Sequence, residues 1–470
     1  MGMSLGLGIG LPFTAGASGG AGDPYPQFAR TAILNFQGDS LTGQGVVGNA
    51  DFVSVPGNEK VQRFGCGWLE YAMAVNPRLN SEMWAADTRS FQSNVRYVDG
   101  FNRACPGMGI DYQESILAKS LAMNADAVAA YLTVNSRLVS DAAARMIAMG
   151  EQIIAAGKFA IVGTMCPIEQ GHAFDDPQYR ANHLVNNQAV RDWVATKPRS
   201  QAILMDWSAL LDPGLTMYCT VPGALHDKVH PSPWGASLIA EFFNAQIFDK
   251  ICAPGPNWFE ERWSSLTNYM PNGTFATTAT PFGRSGAWVS GSAGPAQFRG
   301  ISGGATVSQL LSTLEPNPLT GGQTLVCNIS PQPTALAEEI WTFQGNSGAA
   351  NNGYTLVPEL AGKWVVGAAE VEIPANDFHG APQIIMSDNA NSSGRFSQTM
   401  VIDTGTGGTN NSIRKTKAET FYLMTDPVRL DIASGGPRFL LGIKARGAAA
   451  YAAGITTAEA MGRVKIKRVA

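Results

Sequence analysis

Short apolar runs alternate with longer amphipathic stretches through the first half of the chain. Thr31 to Phe36, Ala127 to Val134, Phe159 to Thr164 and Ala202 to Asp206 are brief, nearly continuous apolar segments, as strands buried on both faces require. Between and after them, Phe64 to Ala74, Tyr112 to Met123, Asp141 to Ala156, Arg180 to Ala195 and Trp234 to Ile251 carry helical patterns. Asp141 to Ala156 is the strongest, with Ala, Met and Ile at three- and four-residue spacing. Gly157 follows it where a C-cap glycine belongs. This alternation predicts an α/β unit whose parallel sheet is covered on both faces. Asn76 to Asp99 reads as an insertion into it.

The pattern changes near Cys252. Ala253-Pro254-Gly255-Pro256 breaks the last helix, and helical periodicity nearly vanishes beyond it. Val365 to Ile373, Gln383 to Met386, Thr399 to Ile402, Phe421 to Met424, Val428 to Ile432, Phe439 to Ile443 and Val464 to Val469 suit strands separated by turn-rich segments, the pattern of a β-sandwich. The expected organisation is a Gly-rich arm over 1–29, an α/β domain over 30–252, a linker over 253–262 and an all-β domain over 263–470. Each domain is expected to fold by itself.

Composition narrows the classes. The chain has 470 residues, 45% hydrophobic and 15% charged, with a net charge of −4. That is enough apolar material for more than one core. No Lys/Arg block is present, which argues against a nucleic-acid partner. No apolar run reaches the length of about eighteen residues that a membrane span needs. Six scattered cysteines (Cys66, Cys105, Cys166, Cys219, Cys252, Cys327) form no Cys-x-x-Cys pair, which argues against a zinc knuckle or a redox motif. Buried thiols are the default, and a Cys66–Cys105 disulfide is left open.

The chemistry concentrates in two places. Gly38-Asp39-Ser40-Leu41 follows the first predicted strand, and Asp227-Lys228-Val229-His230-Pro231 lies far downstream. A serine hydroxyl must lose its proton as it attacks, and a histidine held by a carboxylate can take it. The bland alternative is a strand-to-helix turn with Ser40 as N-cap. Five histidines occur: His172, His183, His226, His230 and His379. Of these, only His230 has the three-residue offset from Asp227 and the following proline. His172 and His183 lie near Asp175 and Asp176, but their spacing fits no compact zinc motif, and a solvated loop is expected there. Asp39 is expected to shape the serine turn.

These residues resemble the GDSL/SGNH hydrolase family over about residues 30 to 252. Gly38 to Leu41 matches its first block and Asp227 with His230 its last. Asn102-Arg103-Ala104-Cys105-Pro106-Gly107 resembles its second block. Thr133-Val134-Asn135-Ser136 keeps only the asparagine of the third. The resemblance implies a three-layer parallel-sheet domain with Ser40 as nucleophile, His230 as base and Asp227 as its partner. It implies an oxyanion hole from Ser40, Gly107 and Asn135, with no cofactor and no metal. Asn272 to Phe275 and the last strand resemble the bounds of carbohydrate-binding jelly rolls. Leu5-Gly6-Leu7-Gly8-Ile9-Gly10 resembles the leaders of some phage and prophage tail proteins. No positive charge precedes Arg30, so Met1 to Gly22 lacks the basic start of a secretory signal.

The implied activity is a serine esterase that removes acyl groups, O-acetyl first, from a polysaccharide. The implied location is a virion tail, or else extracellular, with tail proteins as partners of the arm and a homo-oligomer left open. The alternatives are a virion structural or receptor-binding protein with an inactive hydrolase fold, and a secreted lipase or thioesterase. Trp258, Trp263, Trp288, Trp341 and Trp364 are expected in cores first and as sugar platforms second.

Overall fold

The computed structural model describes residues 23–29, 34–43, 46–47, 59–64, 67–79, 101–105, 107–225, 227–255, 276, 278–279, 283–284, 294–295, 298–301, 309–330, 342–345, 364–365, 367–373, 380–387, 395–399, 418–424, 428–429, 438–445 and 462–469. In the first half, four strands run parallel: β1 (Leu34–Phe36), β4 (Ala127–Tyr131), β5 (Phe159–Gly163) and β6 (Ala202–Met205), in that spatial order. Two short strands, β2 (Val46–Val47) and β3 (Glu59–Phe64), lie between β1 and β4 in the chain but belong to another sheet.

Alternation of side chains across the pleat divides the core in two. Ala127, Ala129 and Tyr131 of β4 face one cluster with α2 (Trp68–Val75) and α7 (Pro233–Phe243). Val128, Ala130 and Leu132 face the other, with α3 (Ile110–Ala122), α4 (Ala142–Ala155) and α5 (Pro177–Ala195). Helices therefore cover both faces of the sheet. Local signals set the helix ends. Asp176 and Ser232 cap α5 and α7 by accepting the Tyr179 and Gly235 N–H groups, and Pro177 and Pro233 follow them. Gly157 terminates α4 at φ +72°.

On the free edge of β1, residues 101–103 add a further parallel rung: Phe36 N–H donates to the Phe101 carbonyl and Arg103 N–H to the Phe36 carbonyl. The chain thus passes from β1 to one neighbour and then to β4 on the opposite side. Such a reversal opens a crevice at the carboxyl ends of the strands, where α/β folds bind their ligands. Ser40 follows β1 and Asn135 follows β4, so both sit at this reversal.

Several boundaries differ from the sequence expectation. The pattern from Phe64 is not all helix: Glu59–Phe64 is strand β3, and α2 starts only at Trp68 after Gly67. The long last helix is α7 to Phe243, then a π-turn over Asn244–Phe248 and one α-turn over Asp249–Ile251. The strand expected from Ala127 to Val134 ends at Tyr131, and Val134–Ser136 is a 3-10 turn. The first expected strand is described only from Leu34; 31–33 and most of the 76–99 insertion lie outside the described residues.

Among the described residues, the second half supplies a five-stranded sheet and six strands of an eight-stranded one, whose other two are β2 and β3. Expected strands near 383–386, 421–424, 439–443 and 464–469 fall within Gly380–Ser387, Glu419–Met424, Arg438–Ala445 and Gly462–Val469. The strand expected over 365–373 divides: Trp364–Val365 pairs with Val428–Arg429, the described part of the strand expected over 428–432, and Ala368–Ile373 belongs to the five-stranded sheet. A strand Arg395–Thr399 precedes the one expected from Thr399. The hairpin of Gln309–Pro316 and Gln323–Ser330 was not legible, because a polar residue, Ser312, holds a buried position in it.

The two halves are not separate in packing. β3 pairs in parallel with Arg395–Thr399, so a segment of the first half is a strand of the eight-stranded sheet. Helix α2 is buried between the sheets: Tyr71 donates to Glu419 Oε2 at 2.5 Å and meets Phe421 edge-on at 5.7 Å. One continuous apolar cluster runs from Phe36 and Trp68 to Val371, Phe421 and Leu423. The N-terminal segment also docks. Phe28 N–H donates to the Ile251 carbonyl, Ala253 N–H donates to the Phe28 carbonyl, and the Phe28 ring meets Phe159.

Candidate active site

Gly38 makes the sharp exit from β1. Its φ is +145°, a region that side chains rarely adopt, and an added Cβ would stand 2.2 Å from Tyr131 Cε1. Only glycine fits there. The turn places Ser40 at the head of a one-turn helix, α1 (Ser40–Gly43), with the serine 5% exposed. Trp68 Nε1 donates to Thr42 Oγ1 at 3.0 Å, and Asn102 Nδ2 donates to the Thr42 carbonyl at 3.2 Å, bracing the same turn.

His230 and Asp227 arrive on the loop just before α7. Ser40 Oγ lies 2.9 Å from His230 Nε2, and His230 Nδ1 lies 2.6 Å from Asp227 Oδ2. The other carboxylate oxygen accepts the Val229 N–H at 3.0 Å and the His230 N–H at 2.7 Å. This local ring bends the loop, with Lys228 at φ +75°. The Lys228 carbonyl accepts the Glu169 N–H at 2.8 Å, fastening the loop to its neighbour. Asp227 and His230 side chains are 40% and 20% exposed, so the imidazole sits at the rim and the serine behind it.

Asp39 is wholly buried beside Ser40. Its Oδ1 accepts the Leu41 N–H at 3.0 Å and the Tyr131 hydroxyl at 2.9 Å, and its Oδ2 accepts Asn135 Nδ2 at 3.1 Å. Burial pushes the Asp39 carboxyl above its ordinary range, against which the Leu41 N–H, the Tyr131 hydroxyl and the nearby His230 act. Burial, reinforced by the Asp39 charge, pushes the Tyr131 phenol up as well. Asp39 therefore does more than shape a turn: it joins Ser40's turn to Asn135. Asn135 Nδ2 also reaches the Met108 carbonyl at a long 3.4 Å. Gly107 is exposed in the same loop at φ +79°, between Cys105, whose N–H donates to the Gly38 carbonyl, and Met108.

The remaining candidates separate. His183 is not in a solvated loop. It is fully buried in α5, where Asn187 Nδ2 lies 3.1 Å from its Nε2 and burial lowers its pKa to about 3. It lies within the helix expected over 180–195, and the three- and four-residue spacing puts it on the buried face with Tyr179, Asn186, Asn187 and Val190. His172 stacks edge-on against Phe174, and its pKa is lowered by burial. His226, His379, Cys66 and the tryptophans at 258, 263, 288 and 341 lie outside the described residues. Cys105, Cys166, Cys219, Cys252 and Cys327 form no disulfide among the described residues. No helix there is long and apolar enough to cross a membrane, and no group of three His, Cys, Asp or Glu side chains is placed to hold a metal ion.

Sequence reasoning missed Tyr131. The available signal was a tyrosine ending an otherwise apolar buried strand, whose hydroxyl must find a partner. It also missed Ser136, whose hydroxyl oxygen accepts the Ile110 N–H at 2.7 Å at the start of α3.

No protein-family model matches the sequence, and no curated protein matches it. Among solved structures, a catalytic mutant of an acetylxylan esterase from Geobacillus stearothermophilus aligns at 17% identity over 50% of this chain and 100% of its own, with a TM-score of 0.30. Another acetyl xylan esterase aligns at 13% identity over 46% of this chain and 98% of its own, with a TM-score of 0.29. Both likenesses cover about half of this chain, and the substrates in those names belong to those proteins.

Proposed function

We propose that the protein is a serine esterase acting on O-acyl groups, O-acetyl first, of a polysaccharide. The observation that carries this is the unbroken chain Ser40–His230–Asp227, at 2.9 and 2.6 Å, at the strand-order reversal. His230 Nε2 takes the Ser40 proton as Oγ bonds to the ester carbonyl carbon. The carbonyl oxygen becomes an oxyanion, received by the Ser40 and Gly107 N–H groups and by Asn135, whose weak 3.4 Å contact to Met108 it would replace. Collapse breaks the bond to the alcohol, which leaves with the proton from His230. Water then attacks the acyl carbon, His230 takes its proton, and Ser40 recovers that proton as the carboxylic acid departs.

The His230 side chain is 20% exposed, which suits departure of a large alcohol toward solvent. The all-β half is proposed to bind glycan or neighbouring subunits, and the N-terminal segment a larger assembly such as a virion tail. The competing reading, an inactive virion or receptor-binding protein, draws on the altered third block, where Ser136 serves a helix end.

Acetate release from an O-acetylated polysaccharide, with nitrophenyl acetate as the small substrate, tests the proposal. Wild type should release acetate from both and Ser40→Ala from neither. Hydrolysis of no short acyl ester would sink the enzymatic reading. Action on nitrophenyl acetate alone would remove the polysaccharide.

A further inference from the structure

Tyr131 closes β4 with its ring in a slot that two glycines leave open. An added Cβ on Gly38 would stand 2.2 Å from Tyr131 Cε1, and one on Gly163 would stand 2.6 Å from Tyr131 Cβ. Trp207 meets the ring at 4.4 Å and a steep angle. Such a slot holds a flat six-membered ring in one orientation and delivers its oxygen to one place.

That place is Asp39. The phenol oxygen accepts the Asp39 N–H at 2.9 Å, and its hydroxyl donates to Asp39 Oδ1 at 2.9 Å. Both hydrogen bonds go to the residue before the nucleophile. On the opposite carboxylate oxygen the donor is Asn135 Nδ2. A buried carboxylate lacks water to orient it, so its direction is set by the donors around it. Take away the Tyr131 hydroxyl and the carboxylate can rotate toward the remaining donors, carrying the Asn135 amide with it.

Resting on the esterase reading of this site, we infer that Tyr131 is a positioning residue: through Asp39 it aims the Asn135 amide at the oxyanion. It touches no substrate. Its contribution passes through a donor four residues further along the chain, so it should vanish when that donor is removed.

The experiment is a cycle of Tyr131→Phe and Asn135→Ala in the full chain, with nitrophenyl acetate as substrate. Phenylalanine keeps the ring in its slot and removes one oxygen. Tyr131→Phe alone should lower kcat by about tenfold or more with KM nearly unchanged, a part of the 10²–10³ that loss of an oxyanion donor costs. In the Asn135→Ala background the same change should cost less than about threefold, because groups acting as one unit are not additive. Equal costs in the two backgrounds, or a change confined to KM, overturn the inference. Asp39→Asn passes through the same cycle with the same expectation, which guards against a folding defect of Tyr131→Phe. If wild type shows no Ser40-dependent hydrolysis, the esterase reading has failed by itself. A crystal structure of Tyr131→Phe then decides the positioning role. An Asn135 amide unmoved against Asp39 overturns it, and a rotated or withdrawn amide supports it.

Discussion

Replacing Asp227 by asparagine should do far more damage than the loss of one charge at a half-exposed site suggests. Asp227 Oδ1 accepts two backbone N–H groups, from Val229 at 3.0 Å and His230 at 2.7 Å. An asparagine must put its carbonyl oxygen there, because the amide nitrogen would face two donors. The nitrogen is then forced into the position of Oδ2, 2.6 Å from His230 Nδ1, where it can only donate. His230 must accept at Nδ1 and carry its proton on Nε2. That proton points at Ser40 Oγ, 2.9 Å away, so the ring that should take the serine proton already holds one. A wrong tautomer of this kind costs about 10⁴ in turnover, or about 5.5 kcal/mol of barrier. The sequence alone leaves room for a backbone carbonyl to orient the ring, which predicts a milder loss. Steady-state hydrolysis of nitrophenyl acetate by Asp227→Asn, with thermal melting to show an intact fold, separates these outcomes. Activity within about tenfold of wild type, while Ser40→Ala is inactive, would refute the tautomer argument.

Gly38→Ala should unfold or disable the site, at a cost of about 3 kcal/mol or more from backbone strain and the Tyr131 overlap; a urea midpoint equal to wild type would show that the close approach is wrong. His183 should make the fold acid-sensitive. Its folded pKa is about 3 while the unfolded imidazole titrates at the ordinary 6.5, so between these values the unfolded state binds the extra proton. Stability therefore falls as pH drops below about 6.5, by up to about 1.4 kcal/mol per pH unit. His183→Gln should flatten that slope in urea melts at pH 7, 6 and 5, and an unchanged slope refutes the assignment. A chain truncated after Ile251 loses the strand that β3 pairs with and the residues that bury Tyr71. It should aggregate or lose its near-ultraviolet circular dichroism, and a monomer with native signal and full small-ester activity would restore two independent folding units.

What the sequence determined by itself is what short-range patterns can carry. The apolar runs at β4, β5 and β6 and the periodicity of α4 specify elements, because burial on two faces or on one stripe is written in consecutive residues. Gly38 to Leu41 and Asp227 to His230 were legible because a tight turn and a three-residue offset are local requirements of the chemistry. Even the failure at Phe64, where strand β3 precedes the helix, came from reading one period across a junction of two. Tertiary structure alone decided the rest. Ser40 and His230 are 190 residues apart, and the pairing of β3 with Arg395–Thr399 joins segments whose patterns contain no reference to one another. The same holds for Tyr71 with Glu419, and for Tyr131 with Asp39. A hydrogen bond or an edge pairing depends on where two side chains meet in space, and one sequence records only that each needs a partner. The sheet order brought β1 beside β4, and with it a tyrosine that reads as one more apolar residue became a partner of Asp39 and, through it, of Asn135.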